Sequence, residues 1–151
     1  MNFEFNMTLE EAIPNEEWEM MEEFTITPEL NQQFTDSLDD HHPWFTEDSP
    51  YGGPIAEPGL LHQKALEVMT RRYPIETPIK GAGSFHQRQD SELFYPARVG
   101  KKVKMEVRLI DKYVKRNRDY VVLEARCTDE DGRLLLISHH CRMIQGKEEK
   151  K

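Results

Sequence analysis

Cationic side chains are missing from the first 63 residues: no lysine or arginine precedes Lys64, while Asp and Glu recur throughout that half. With 20 basic against 28 acidic residues and a net charge of -8, the chain as a whole argues against general nucleic-acid binding. Cysteine is scarce too. Cys127 and Cys141 alone cannot make a disulfide framework. No apolar run approaches the length of a bilayer-crossing helix, and no membrane association is expected. The N-terminus is Glu-rich and lacks the basic start and apolar stretch of a secretory signal, so a cytoplasmic location is the expectation.

What is present is one domain's worth of chain: 151 residues, 32% charged, with its apolar residues gathered into periodic runs. Residues 1–23 read as an acidic N-terminal extension, 24–145 as the folded domain and 146–151 as a charged tail. In the extension, two short amphipathic pieces (9–13 and 18–21) flank Pro14 and are expected to pack on the domain or on a second subunit. Residues 24–27 suit a short strand. Thr27 followed by Pro28 opens a helix with Leu30, Phe34 and Leu38 on one face, which Pro43 prevents from continuing. A Gly/Pro-rich loop spans 51–58. A second helix runs from about Pro58 to about Tyr73, apolar around most of its girth except for Gln63, Glu67 and Arg71, and is therefore expected to be buried.

The remainder predicts strands. Residues 79–89 form a candidate whose glycines suggest a bend or bulge. Over 99–113, Val103, Met105, Val107 and Leu109 face one way and Lys102, Lys104, Glu106 and Arg108 the other. Residues 120–128 alternate likewise, a turn at Asp129–Gly132 follows, and 134–144 is the last strand. In that hairpin Cys127 falls opposite a residue near Leu136, roughly 15 Å from Cys141 and out of disulfide reach, so both are expected to be small buried thiols. Two helices and then an antiparallel meander make an α+β chain whose sheet needs the buried helix as cover.

Three segments carry a resemblance to a known family. They are DDHHPWF at residues 39–45, SPYGGPIAEPGLL at 49–61, and the long basic hairpin of 94–135. In order and spacing they resemble the MaoC-like hydratases and dehydratases, which implies a hotdog fold: a curved antiparallel sheet wrapped around a central helix. The resemblance covers nearly everything from Phe24 to Ile144. It implies an acyl thioester as substrate, with coenzyme A or phosphopantetheine as part of that substrate and no further cofactor.

Such chemistry needs a base for water, an acid for the α-carbon and a donor to the thioester oxygen. The family takes the first two from an Asp and a His spaced as Asp, any, Asn, Pro, any, His. On this sequence the Asp falls on Asp40, the Asn on His42 and the His on Phe45, which cannot exchange a proton. Asp40 and His42 are the candidate acid–base residues. Gly59 or Leu60 is the candidate oxyanion donor at the start of the central helix, because Pro58 has no N–H, and Phe45 is a candidate substrate contact. Adjacent His41 and His42 lack the further spacing of a metal site, and none is expected. In the last strand, His139 and His140 point to opposite faces, with packing the expected role.

The basic stretch from Lys101 to Arg118 suggests phosphate contacts, with Lys112, Lys115, Arg116 and Arg118 as the candidates. Contact with the acidic half of a neighbouring subunit is the competing explanation, and a homo- or hetero-oligomer of hotdog subunits is expected. Three activities compete: a hydratase or dehydratase using Asp40 and His42; a non-catalytic subunit that pairs with an active dehydratase, which Phe45 suits; and a thioesterase using Glu57 or Glu67.

Overall fold

The computed structural model describes residue 4, residues 6–77 and residues 84–144. In chain order the elements are β1 (Glu19–Thr25), α1 (Pro28–Leu38), α2 (Pro58–Arg72), β2 (Phe85–Leu93), β3 (Lys102–Lys115), β4 (Arg118–Asp129) and β5 (Leu134–Ile144). A 3-10 turn, Pro43–Phe45, lies between the helices.

Alternation decides the sheet. Val103, Met105, Val107 and Leu109 of β3 and Val121, Leu123, Ala125 and Cys127 of β4 are buried, while the side chains between them face outward. β3, β4 and β5 pair antiparallel as a meander. β1 joins on the β3 side and β2 on the β5 side, so the order is β1-β3-β4-β5-β2. Across the buried face lies α2, whose Leu61, Ala65, Val68 and Met69 join the core cluster, as the apolar helix requires. The turn expected at Asp129–Gly132 forms there. Asp129 accepts from the N–H groups of Asp131 and Arg133, and Gly132 has φ 79°. Cys127 pairs with Leu136 and both thiols are free. Cys127 is buried, with its thiol pushed up to about 12 by burial, whereas Cys141 is only half-buried and faces outward from the sheet.

α1 begins as its sequence dictates, with the Thr27 hydroxyl accepting from Leu30 N–H and Pro28 in the first turn. Its buried side chains, however, are Asn31 and Thr35; Leu38 is exposed. The first strand starts at Glu19 rather than near Phe24, because backbone pairing with β3 holds residues 19–23 in the sheet. Of the strand expected at 79–89, residues 79–83 fall outside the described residues, and β2 runs on to Leu93. The charged tail also falls outside them.

The N-terminal lead-in packs on its own domain. Met7 bridges to Ile75, Ala12 is fully buried, and Asn15 N–H donates to the Leu109 carbonyl. Trp18 then lies over the guanidinium groups of Arg108 and Arg126, 4.2 and 4.3 Å from its ring centre.

Candidate active site

At the N-terminal end of α2 is an apolar cavity of about 460 Å³, within the usual range for a small-molecule site. Its walls come from the 3-10 turn (Trp44, Phe45), the segment entering α2 (Ile55, Ala56, Glu57, Pro58), Leu61 of α2, and the end of β2 with the chain beyond it (Leu93 to Ala97). Among the described residues that line it, Glu57 is the only carboxylate and His42 the only imidazole.

One buried side chain ties these walls together. Asn31 of α1, 2% exposed, donates its amide to the carbonyls of Phe45 and Ile55, 3.1 Å each. Its oxygen accepts from Glu57 N–H at 3.1 Å. The same segment is held from the other side, where Ala56 N–H donates to the Ala97 carbonyl and Val99 N–H to the Pro54 carbonyl. Aromatic edges close the rim: Tyr51 meets Trp44 and Tyr95 in T-shaped contacts, and Arg133 lies 3.9 Å from the Tyr95 ring centre.

Asp40 follows the C-cap of α1. Asp39 adopts the left-handed conformation (φ 52°), and Asp40 N–H then closes on the Thr35 carbonyl. Asp40 is half-buried, and its charge reaches Glu57. His42 lines the cavity. Its Nδ1 accepts from Trp44 N–H at 3.2 Å, which places the proton of a neutral ring on Nε2. His41 turns away to Asp39 and Asp36 at the surface. Phe45, where the resemblance calls for a histidine, presents its ring to the cavity.

The oxyanion role expected of Gly59 and Leu60 meets an obstacle. Glu57 is the N-cap of α2, and its carboxylate accepts from Gly59 N–H at 2.7 Å, while Leu60 N–H is bonded to the Glu57 carbonyl. Both donors are therefore occupied by Glu57. Burial raises the Glu57 carboxyl above its ordinary range; the Gly59 N–H works against that rise and the Asp40 charge adds to it. Gly59 itself sits tightly, since a Cβ there would lie 2.8 Å from the Glu57 carboxylate and 3.3 Å from the Phe34 ring.

The cations expected to meet phosphate do not gather at the cavity. Lys112 donates to the carbonyls of Leu9 and Ala12, because a bulge between Leu109 and Asp111 turns it to the core side of β3. Arg118 contacts the Met143 sulfur. Lys115 and Arg116 line an open groove with Arg88, Tyr113 and His139 on the outer face of the sheet, away from α2. A ligand whose acyl end fills the cavity would have to pass around the β2 edge to reach them. The outward basic face of β3 is instead neutralised within the chain, by Arg108–Glu124 and Arg126–Glu106 pairs at 2.7 Å. Glu67 lies outside the cavity, between Lys64 and Arg71. His140 is buried on the α2 side of β5 and His139 pairs with Glu124 on the other. No cluster of three potential metal ligands occurs among the described residues, and no helix among them is long and apolar enough to cross a membrane.

No family model matches the sequence, and no curated protein matches it closely. Solved structures do. The chain is similar to a MaoC-like dehydratase from Rhodospirillum rubrum (TM-score 0.71, 13% identity, 95% of this chain and 100% of that one). It is similar to the (R)-hydratase from A. caviae involved in PHA biosynthesis (0.68, 17%, 83% and 92%). It is also similar to the HadBC (3R)-hydroxyacyl-ACP dehydratase complex from Mycobacterium tuberculosis (0.65, 19%, 84% and 94%), an assembly of two kinds of subunit. At these identities the likeness is one of fold. The chain has the hotdog fold, in the form taken by MaoC-like dehydratases and (R)-hydratases.

Proposed function

We propose that this protein binds an acyl thioester with the acyl chain in the α2 cavity, and hydrates 2-enoyl or dehydrates 3-hydroxyacyl thioesters. The observation that carries this reading is the cavity itself: an apolar chamber at a helix N-terminus whose wall holds one carboxylate and one imidazole, with Asp40 close behind. Asp40 and His42 are assigned acid–base roles, Phe45 a place against the acyl chain, and Gly59 the thioester oxygen once Glu57 releases its N–H. Coenzyme A or phosphopantetheine enters as part of the substrate. The test is loss of enoyl absorbance on mixing purified protein with crotonyl-CoA and a longer 2-enoyl-CoA. Activity that disappears in Asp40→Asn supports the reading, and an inactive wild type contradicts it.

One observation favours a second reading. Phe45 fills the place of the resemblance's histidine and lines the cavity, as suits a subunit that shapes an acyl tunnel for an active partner. Acyl-CoA binding without hydration, and hydration restored by a second hotdog chain, would select it. A thioesterase would show itself by release of free thiol, with Glu57 as its carboxylate.

The open edge of β2 suits a second copy of this chain. With Gln89 on a twofold axis, Arg88 of one copy opposes Asp90 of the other; within the chain these two already pair at 2.7 Å. Phe85 and Leu93, 54% and 48% exposed, sit at the two ends of the same edge. Sedimentation should show a dimer that Asp90→Lys weakens; a monomeric wild type contradicts the pairing.

A further inference from the structure

Phe45 leaves the cavity without its expected proton carrier, and the structure offers a replacement in the neighbouring wall. Glu57 is at once the N-cap of α2 and the only carboxylate on the cavity surface among the described residues. Its Oε2 rests on Gly59 N–H at 2.7 Å, at the end of the helix where a thioester oxygen would be stabilised. Its backbone is fixed by Asn31, so the side chain swings from a set anchor. We infer that Glu57 is a further catalytic acid–base residue of this site beside Asp40 and His42, taking a proton from water and returning it to the substrate. This rests on the hydratase reading above.

The step balances with Glu57 as the proton carrier between water and C2, while Asp40 and His42 polarise the attacking water. As the water oxygen bonds to C3 of the enoyl thioester, a water proton passes to the Glu57 carboxylate. The C2=C3 electron pair moves into the thioester as an enolate, whose oxygen takes the Gly59 N–H that Glu57 vacates on protonation. Glu57 then gives its proton to C2, the carbonyl re-forms, and the carboxylate returns to the helix. One water is added and nothing is oxidised; dehydration is the reverse. Burial and the nearby Asp40 charge favour the protonated form of Glu57, as a group that must carry the proton in mid-reaction requires.

A simple capping role would explain the Gly59 bond without any chemistry, and Glu57→Gln separates the two. The amide oxygen still caps α2 but cannot carry a proton. The expected result is turnover of 2-enoyl-CoA at least about 100-fold lower, with an unchanged melting temperature and binding of saturated acyl-CoA within about threefold of wild type. Glu57→Asp, which keeps both carboxylate and cap, should retain measurable turnover. A Gln variant within about threefold of wild-type turnover overturns the inference while leaving the hydratase reading intact. A Gln variant that fails to fold overturns it too, by showing the charge to be structural. A wild type that binds acyl-CoA without hydrating it removes the hydratase reading, and the role of Glu57 falls with it.

Discussion

Replacing Asn31 by alanine should loosen the site and the fold together. The side chain is 2% exposed and makes three hydrogen bonds, to the carbonyls of Phe45 and Ile55 and from the N–H of Glu57. Losing them at about 1 kcal/mol each, with the three backbone groups left short of partners, costs about 3 kcal/mol. Better helix propensity returns about half a kcal/mol, so Asn31→Ala should lose about 2.5 kcal/mol. Asn31→Asp is the sharper perturbation. It keeps an acceptor for Glu57 N–H but sets a buried carboxylate against two carbonyl oxygens, so it should be less stable than the alanine variant. Urea unfolding at pH 7 measures both, with exposed Gln32→Ala as a reference within about 0.5 kcal/mol of wild type. An alanine variant within about 1 kcal/mol of wild type, or an aspartate variant as stable as asparagine, would refute this account of how the cavity wall is held.

Two further substitutions test the buried titratable groups and the helix start. His140 is 2% exposed with neither ring nitrogen hydrogen-bonded, and burial first, then His86 and Arg142, lower its pKa from 6.5 to about 4. The native state therefore resists the proton that the unfolded chain accepts. Stability is full above about pH 6.5, and up to about 3 kcal/mol is lost as pH falls from there towards 4. His140→Phe should remove that loss, so denaturant unfolding from pH 7 to 4 should show the variant gaining on wild type; a constant difference contradicts it. Gly59→Ala sets a Cβ 2.8 Å from the Glu57 carboxylate and 3.3 Å from Phe34; the flexible end of Glu57 gives way and alanine favours the helix, so stability should change by less than about 1 kcal/mol while Glu57 is displaced. Turnover should fall with that displacement, and an alanine variant with wild-type activity would show that the tight fit does not matter.

Where chemistry and periodicity agreed, the sequence was a good guide to the fold. The alternation of β3 and β4, the Thr27–Pro28 helix start, the Asp129–Gly132 turn and the Cys127–Leu136 register are all local patterns, and all appear. β1 and β2 were harder to read. Glu19–Thr25 and Phe85–Leu93 are edge strands held by backbone pairing to a neighbour, and neither carries a clean apolar face. Lys112 looked like a free cation because a bulge, invisible in the residue pattern, reverses its side. Asp40, His42 and Phe45 could be placed in one loop, and the structure puts them beside the helix start. The grip of Asn31 could not be foreseen, since it depends on carbonyls 14 and 24 residues away. Its one signal was a polar side chain beside Leu30 on the inward face of α1. Nor did the sequence show that Glu57 would occupy the Gly59 N–H, for that follows from the rotamer at the cap.

If the α2 cavity takes an acyl chain, affinity must rise with chain length, and calorimetric titration with coenzyme A, butyryl-CoA and hexanoyl-CoA measures that dependence. Each buried methylene contributes about 0.8 kcal/mol, so hexanoyl-CoA should bind about tenfold more tightly than butyryl-CoA, and free coenzyme A more weakly than either. Equal affinity for all three would place the ligand elsewhere and contradict the account.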